Sequence, residues 1–227
     1  MTKNILVIAA HPDDEILGCG GTLIKYQKKG YRVKVIFISD GETSRRSTAK
    51  NIKMLILRRE NQAIKVSELC KFLKPVFLRL PDNQLDRIAL LDITKKIENE
   101  ITQHQPHIIF THSESDLNID HRIVHQATMT ACRPYKFKCV KSIYSFEIPS
   151  STEANFTEKK KFFNPNYFFD VEKEIKKKID ALKVYKQELE KWPHPRSLKN
   201  VKLLANYRGS QSGLKYAEAF NLLRKIK

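Results

Sequence analysis

The 227 residues of this chain are 41% hydrophobic, which is enough to form the core of one domain of generous size. No apolar run approaches the roughly 18 residues that a membrane-spanning helix needs, and the N-terminus lacks the features of a signal peptide. We therefore expect no transmembrane segment.

The net charge of +17 is compatible with nucleic acid, an anionic surface or an anionic substrate as partner. Much of this charge lies at residues 158–161, 173–178 and 224–227, where few aromatic residues are interleaved with the lysines. The pattern favours solvated helix faces, and no recognised nucleic-acid-binding module is present. We therefore expect no nucleic-acid partner.

The cysteines are scattered and form no C-x-x-C pair; they are Cys19, Cys70, Cys132 and Cys139. This arrangement predicts reduced and mostly buried thiols rather than disulfides. A cytoplasmic location is the natural expectation for such a chain.

Segments typical of strands alternate with helical segments over the first 147 residues. The predicted strands are residues 4–10, 32–39, 76–80, 107–111 and 142–147, and the predicted helices are residues 16–29, 52–73, 88–103 and 123–131. This alternation predicts an α/β, Rossmann-like fold whose mostly parallel sheet is flanked by helices.

Residues 148–227 are predicted to be a helical and irregular extension that packs on the same domain. The predicted elements are a late strand at 167–170, helices at 171–191, 198–207 and 214–224, and a loop at 192–196. We therefore treat residues 1–227 as a single domain, with a core of about 1–147.

Polar clusters follow four of the predicted strands, at residues 11–15, 40–42, 81–86 and 111–121. Ligands of such sheets gather outside the carboxyl ends of the strands. By contrast, the glycines of the first helix lie too far from the first strand to form a dinucleotide-binding motif; they are Gly18, Gly20 and Gly21. They instead predict that this helix packs closely against its neighbours.

Two of these clusters have the composition of a metal site. His11 and Asp14 lie three residues apart where a strand meets a helix, with Asp13 free to act on a bound water. His121 in the fourth cluster is a suitable third ligand. Asp120 or Asp116 could orient a histidine by a hydrogen bond to the ring nitrogen that does not bind the metal.

A series of short motifs runs along nearly the whole chain. In order, they are His11-Pro12-Asp13-Asp14-Glu15, the glycines at 18–21, Gly41-Glu42, Arg58-Arg59-Glu60, Leu80-Pro81-Asp82, Asn118-Ile119-Asp120-His121-Arg122, Arg208-Gly209 and Lys215-Tyr216-Ala217-Glu218-Ala219-Phe220. In this order and spacing, the motifs resemble the PIG-L/LmbE family of zinc deacetylases. The resemblance covers nearly the whole chain.

The resemblance implies that His11, Asp14 and His121 hold Zn²⁺ and that Asp13 is the general base. The same donor set also accepts Fe²⁺, Co²⁺ or Mn²⁺. The expected reaction is hydrolysis of an N-acetyl amide by a water that the metal activates.

The resemblance also implies a substrate contact from Arg58, and Arg59 fits the same position equally well. Known relatives remove acetyl groups from N-acetylglucosamine units of glycolipids, thiol precursors and antibiotic precursors. We therefore expect a small N-acetylated sugar, with anionic and nucleotide-linked forms included, as the substrate. Self-association is common among relatives, so a homo-oligomer is compatible with the resemblance.

The chain departs from the family at Asn118, where many relatives have a histidine. An asparagine amide can donate a hydrogen bond to an oxyanion, but it cannot deliver a proton to the departing amine. Either Asp13 serves as both base and acid, or another histidine substitutes. We favour His194, with His112 and His125 as alternatives.

Two other interpretations stay open. The chain could be a relative that binds metal but has lost activity through the change at Asn118. It could also be a basic α/β protein that binds nucleic acid.

Overall fold

The computed structural model describes residues 3–44, 48–156 and 162–227, which form a seven-stranded sheet between two layers of helices. The lysine-rich run at 158–161, which we expected on a solvated helix face, lies outside the described residues.

The strands are β1 (Asn4–Ala9), β2 (Arg32–Ser39), β3 (Val76–Leu80), β4 (Ile108–His112), β5 (Ser142–Phe146), β6 (Tyr167–Asp170) and β7 (Ala217–Lys225). The helices are α1 (Asp14–Lys28), α2 (Ala49–Cys70), α3 (Leu90–His104), α4 (Ile119–Ala131), α5 (Ile175–Leu182) and α6 (Leu198–Ser212), with short 3-10 turns at Leu85–Arg87 and Lys183–Tyr185. Every element predicted in the first 147 residues is confirmed, with only its ends displaced.

The order of strands places a crevice at the carboxyl ends of β1 and β4. The order is β3-β2-β1-β4-β5-β7-β6, and the first five strands of the chain run parallel. The chain winds outward from β1 toward β3 on one side and from β4 toward β5 on the other. Such a switch of direction is where doubly wound sheets bind their ligands.

Both faces of the sheet are covered, which explains why the first strand is apolar throughout. Along β1, Ile5 and Val7 pack with α1, α2, α5 and α6 on one face. Leu6 and Ile8 pack with α3 and α4 on the other face. The alternation of a strand thus divides one sequence run between two cores.

The glycines of α1 allow the helix to approach its neighbours closely, as predicted. A Cβ atom at Gly18 would stand 2.3 Å from the ring of Phe146, and one at Gly21 would stand 2.9 Å from Val171. Any larger residue at these positions would push the helix away from the sheet.

Two expectations from composition can be compared with the structure. The four cysteines are free and three of them are buried, which confirms the prediction of unpaired, mostly buried thiols. Among the described residues, no helix combines the length and the apolar character needed to cross a membrane.

The C-terminal extension adds two strands to the same sheet, and the helix predicted at 214–224 is wrong. This segment forms β7, which pairs antiparallel with both β5 and β6. Its alanine, glutamate, leucine and lysine residues favour a helix, but pairing with two strands and burial of Phe220 override that preference. The late strand predicted at 167–170 is confirmed as β6.

The helix predicted at 171–191 is also wrong in its extent. Helix α5 covers only Ile175–Leu182, and a 3-10 turn follows at Lys183–Tyr185. The chain leaves the helical path here because Tyr185 and Glu188 are both buried against the rest of the protein rather than exposed on a charged helix. The loop predicted at 192–196 is confirmed.

The position of β7 can be tested at Phe220, which is fully buried and contacts the rings of Phe110, Tyr144 and Phe169. Phe220→Ala should lower the free energy of unfolding by about 3–5 kcal/mol, because it leaves a cavity among these rings. The measurement is urea denaturation followed by circular dichroism.

The control is Tyr135→Ala, since the side chain of Tyr135 is 96% exposed. That variant should unfold within about 0.5 kcal/mol of the wild type. Equal stability of the two variants would contradict the assignment of β7 to the core of the sheet.

Candidate metal centre

The motif after β1 is a tight turn that leads directly into α1. The main-chain N–H of His11 donates to Asp14 Oδ2 at 2.8 Å, and that of Asp13 donates to Glu15 Oε2 at 3.0 Å. Asp13 has a φ of 134°, which residues other than glycine rarely adopt. Backbone strain of this kind is concentrated at functional sites, where the surrounding structure maintains it.

Three ligand-type atoms meet at the end of β1: His11 Nδ1, Asp14 Oδ2 and His121 Nε2. The distances are 3.3 Å from His11 to Asp14, 3.4 Å from His121 to Asp14, and 3.3 Å between the two histidines. All three residues are buried. The structure therefore brings together the three residues that sequence and resemblance point to.

The ring of His11 is oriented by two carboxylates on its far side. Its Nε2 lies 3.0 Å from Asp82 Oδ1 and 3.2 Å from Asp120 Oδ2. A carboxylate can only accept, so Nε2 carries a proton. Burial lowers the pKa of His11, but Asp120, Asp14 and Asp82 more than offset this and raise it well above its usual value. Nδ1 is the nitrogen that would coordinate a metal in place of a proton. Asp120 is itself fixed by the main-chain N–H groups of Asn83 and Leu85 at 2.8 and 3.1 Å.

His11, Asp82 and Asp120 also form a second group of close ligand-type atoms. Both oxygens of Asp120 already accept main-chain hydrogen bonds, and Asp82 accepts one from Ser44. These two carboxylates are therefore engaged in holding His11, and the first group is the stronger candidate for a metal.

His121 is oriented in the same manner. Its Nδ1 lies 3.1 Å from Asp116 Oδ2, and Asp116 accepts a hydrogen bond from Thr152 at 2.6 Å. The ring stacks on that of His112 with centroids 4.0 Å apart. His112 accepts the main-chain N–H of Ala10 on Nε2 at 2.8 Å, and burial lowers its pKa well below the usual value, so it stays neutral.

The electrostatics of this cluster favour a cation. Two imidazole nitrogens and a carboxylate oxygen face one another in a buried cluster, and Asp14 Oδ1 is buried with no hydrogen-bond partner among the described residues. Burial lowers the pKa of His121, but Asp14 and Asp116 more than offset this and raise it to about 9. The cluster therefore favours positive charge, which a proton on His121 supplies without a metal and which a metal ion would supply in its place when bound.

Asp13 lies beside the cluster but faces a different set of groups. Its Oδ2 lies 3.1 Å from Arg196 Nη1 and 3.7 Å from Arg59 Nη2. Its Oδ1 is buried and has no hydrogen-bond partner within the described part of the chain. Burial raises the pKa of Asp13 to about 6, against the opposing effect of Arg196 and Arg59.

The two adjacent arginines of α2 have different environments. Arg59 is buried and donates to the main-chain oxygens of Pro12 at 3.2 Å and Gly41 at 2.7 Å, so it ties the first two loops together. Its Nη2 lies 3.1 Å from Glu188. Arg58 is exposed on the outer surface of the helix, so Arg59 is the one of the pair that reaches the centre.

The remaining predicted residues lie around the rim. Asn118 caps α4, because its side-chain oxygen accepts the N–H of Asp120 at 2.8 Å. His194 is exposed, and its Nδ1 accepts the N–H of Arg196 at 3.1 Å. His125 is half-buried and contacts the main-chain oxygen of His112 at 2.8 Å. The acid roles considered for these histidines stay predictions.

Sequence reasoning missed three residues that the C-terminal extension brings to the centre: Tyr185, Glu188 and Arg196. The hydroxyl of Tyr185 donates to Glu15 Oε1 at 2.7 Å, and burial raises the pKa of Glu15 to about 8. No spacing or motif connects these residues to the first loop, from which they are separated by some 170 positions. The proline-flanked loop was the one available signal.

The tail motif has a structural role next to α1. Glu218 on β7 accepts the main-chain N–H groups of Gly21 at 2.8 Å and Thr22 at 2.7 Å, and its partner Lys178 lies at 2.6 Å. A carboxylate from the last strand thus holds the helix that begins at the candidate metal centre.

Fold and site together define a doubly wound α/β protein with a buried His-Asp-His cluster at the switch point of its sheet. The profile of the PIG-L family, described as GlcNAc-PI de-N-acetylase, matches residues 6–132. This match covers more than half of the chain, and the chain therefore belongs to the PIG-L family.

Individual relatives agree with this assignment. The chain is 27% identical over 190 residues to a protein of Escherichia coli (strain K12) named uncharacterized deacetylase YaiS, covering 81% of this chain and 91% of the relative. It superimposes on the N,N'-diacetylchitobiose deacetylase of Pyrococcus horikoshii with a TM-score of 0.79 at 19% identity, covering 98% of this chain and 84% of the other. The relatives named deacetylases support an enzyme of that class.

The same fold also occurs with a different activity. The chain superimposes on GalB, the 4-carboxy-2-hydroxymuconate hydratase of Pseudomonas putida KT2440, with a TM-score of 0.78 at 20% identity, covering 100% of this chain and 98% of the other. The fold alone therefore does not decide the reaction.

The orienting role of Asp82 gives a test of the metal centre. Asp82→Asn preserves shape but removes the charge behind His11, and it should lower Zn²⁺ affinity by about 10- to 100-fold. Asp14→Ala removes a ligand atom and should lower the affinity further. The measurement is competition with a chromophoric chelator.

The matched control is Asp92→Asn, an exposed carboxylate in the first turn of α3. It should bind Zn²⁺ like the wild type. Undiminished affinity in Asp14→Ala would show that the cluster is not the metal site.

Proposed function

We propose that the chain is a metal-dependent N-deacetylase that releases acetate from an N-acetylated amino sugar or its conjugate. The observation that carries the proposal is the buried meeting of His11 Nδ1, Asp14 Oδ2 and His121 Nε2, with the unpartnered Oδ1 of Asp13 in the adjoining turn. Membership of the PIG-L family supports the reaction, and the likeness to a diacetylchitobiose deacetylase supports a sugar substrate.

His11, Asp14 and His121 would hold the metal, for which Zn²⁺ is our first candidate. The three ligand–ligand distances of 3.3–3.4 Å fit this ion. The edge of a tetrahedron around an ion with bonds of about 2.0–2.1 Å measures about 3.3–3.4 Å. When bound, such an ion lowers the pKa of a water and polarises the amide carbonyl. Fe²⁺, Co²⁺ and Mn²⁺ accept the same donors.

Asp13 handles the proton in this proposal. It accepts a proton from the water that attacks the carbonyl carbon, and a base with a pKa of about 6 is well matched to that task near neutral pH. As the carbon–nitrogen bond breaks, the same carboxyl returns the proton to the departing amine, because Asn118 has none to give. The products are acetate and the amine, which takes up the second proton of the water as an ammonium ion near neutral pH.

The other predicted residues have supporting roles in the proposal. Asp120 and Asp116 keep the two histidines in the tautomers that point their lone pairs at the metal. Asn118 donates a hydrogen bond to the oxyanion. Arg59 holds the loops of the centre in place, and the exposed position of Arg58 leaves it no direct part in the chemistry. His194 remains the alternative proton donor.

A hydratase is the second candidate, favoured by the superposition on GalB over almost the full length of both chains. Both reactions activate a water, so the difference lies in what the water attacks. The match to a de-N-acetylase profile favours the amide over a carbon–carbon double bond.

The proposal is tested by a screen of N-acetylated sugars with the metal-loaded protein, in which diacetylchitobiose, nucleotide-linked and phosphorylated sugars are included. Released acetate and free amine should appear together in equal amounts. If no compound in the screen releases acetate, the result would favour the interpretation that the chain is an inactive relative. Conversion of unsaturated acids should then be measured to test the hydratase alternative.

With an active substrate, Asp13→Asn should lower kcat by about 10²- to 10⁴-fold, because the amide cannot accept the proton of the water. Metal content should stay at the level of the wild type, since Asp13 is not among the three ligands. Full activity of this variant would exclude Asp13 as the base.

A further inference from the structure

We propose that Arg196 is a positioning residue that decides which oxygen of Asp13 takes the proton from the attacking water. This inference rests on the proposed deacetylase function and extends it to a residue far away in sequence. Arg196 follows Asp13 by 183 positions and comes from the loop before α6.

The contacts of Arg196 make the two oxygens of Asp13 inequivalent. Its Nη1 donates to Asp13 Oδ2 at 3.1 Å, while its Nε donates to Ser150 Oγ at 2.8 Å, so the guanidinium is held at two points. Oδ1 of Asp13 is buried and has no hydrogen-bond partner among the described residues. One oxygen is thus anchored by a cation, and the other is left to receive a proton.

Arg59 does not supply this anchor, although it is close. Its Nη1 donates to the main-chain oxygen of Gly41 at 2.7 Å, and its Nη2 lies 3.1 Å from Glu188 but 3.7 Å from Asp13. The last distance is beyond a hydrogen bond. Arg59 therefore contributes positive charge near Asp13, whereas Arg196 fixes its geometry.

The proton transfers need an oxygen of Asp13 that is free to accept a proton and then to return it. The water oxygen bonds to the carbonyl carbon while the π pair of the carbonyl moves to its oxygen, and one proton of the water moves to Asp13 Oδ1. As the carbonyl forms again and the carbon–nitrogen bond breaks, that proton moves to the amine nitrogen. The second proton of the water stays on the acid product and dissociates from it. Arg196 keeps its own protons throughout, because a guanidinium does not dissociate in proteins. A carboxylate free to rotate would present the acceptor oxygen for only part of the time, which lowers kcat rather than substrate affinity.

The loop that carries Arg196 is held by other contacts, so the residue can be replaced without releasing the loop. Ser197 caps α6 by accepting the N–H of Asn200 at 3.1 Å. The side chain of Asn200 donates to the main-chain oxygen of Pro195 at 2.9 Å. The loss of Arg196 should therefore act mainly on Asp13 and leave the loop in place.

The experiment compares Arg196→Gln, Arg196→Lys and Arg196→Ala, all metal-loaded, with the substrate that the wild type deacetylates. Arg196→Gln should lower kcat by about 10- to 100-fold with KM within about twofold of the wild type. Arg196→Lys should recover part of the loss, and millimolar guanidinium should partly restore Arg196→Ala. Metal content should match that of the wild type, and each variant should stay folded at the temperature of the assay, although removal of the cation beside a buried carboxylate lowers the melting temperature.

Two controls make the comparison specific. Arg133→Gln removes an exposed arginine just after α4 and should leave kcat unchanged. His194→Gln removes the other candidate of the same loop. A large loss of kcat in His194→Gln together with full activity in Arg196→Gln would overturn the proposal, as would a rise in KM without a fall in kcat in Arg196→Gln.

A readout without turnover separates this inference from the proposed function. If the wild type releases no acetate from any substrate, the deacetylase proposal fails, and the positioning role is judged from crystal structures of the metal-loaded wild type and Arg196→Gln. The Asp13 carboxylate should hold one orientation in the wild type and rotate or occupy several in the variant. An unchanged carboxylate would overturn the positioning role.

Discussion

The imidazole of His11 is the contact on which the rest of the site depends, because its two nitrogens face different parts of the chain. Nε2 faces Asp82, which follows β3, and Asp120, which lies in the first turn of α4. Nδ1 faces Asp14 and His121. One ring thus fixes the relative positions of three segments, and the carboxylates behind it hold the proton of Nε2, so that Nδ1 would be the nitrogen that coordinates a metal.

The C-terminal extension completes a centre that the first half of the chain begins. Asp13, Asp14 and Glu15 are all buried, and burial of carboxylates is tolerated only where cations or hydrogen-bond donors compensate. Tyr185 donates to Glu15, and Arg196 pairs with Asp13. The strained turn after β1 is therefore maintained by groups that reach it from the other end of the sequence.

The family match and the geometry of the site support different parts of the functional proposal. Superposition on a deacetylase and on a hydratase with nearly equal TM-scores shows that the fold supports more than one reaction. The match to the PIG-L family narrows the reaction, and the arrangement around Asp13 supplies the chemical detail. Asn118 caps α4 at the position where the resemblance to the family led us to expect a histidine. This leaves the proton transfers to Asp13 in our proposal.

The sequence alone determined the first five strands and the helices between them, because strand and helix periodicity are local properties. Its short motifs, through their resemblance to a family, also pointed to the three residues of the cluster. Its prediction failed for β7, where helix-forming residues became a strand by pairing with β5 and β6. It also left Arg58 and Arg59 undecided, and it pointed to His194 in the loop whose Arg196 reaches Asp13. Only the tertiary structure decides such matters, because main-chain pairing and buried charge compensation join residues that no sequence spacing relates.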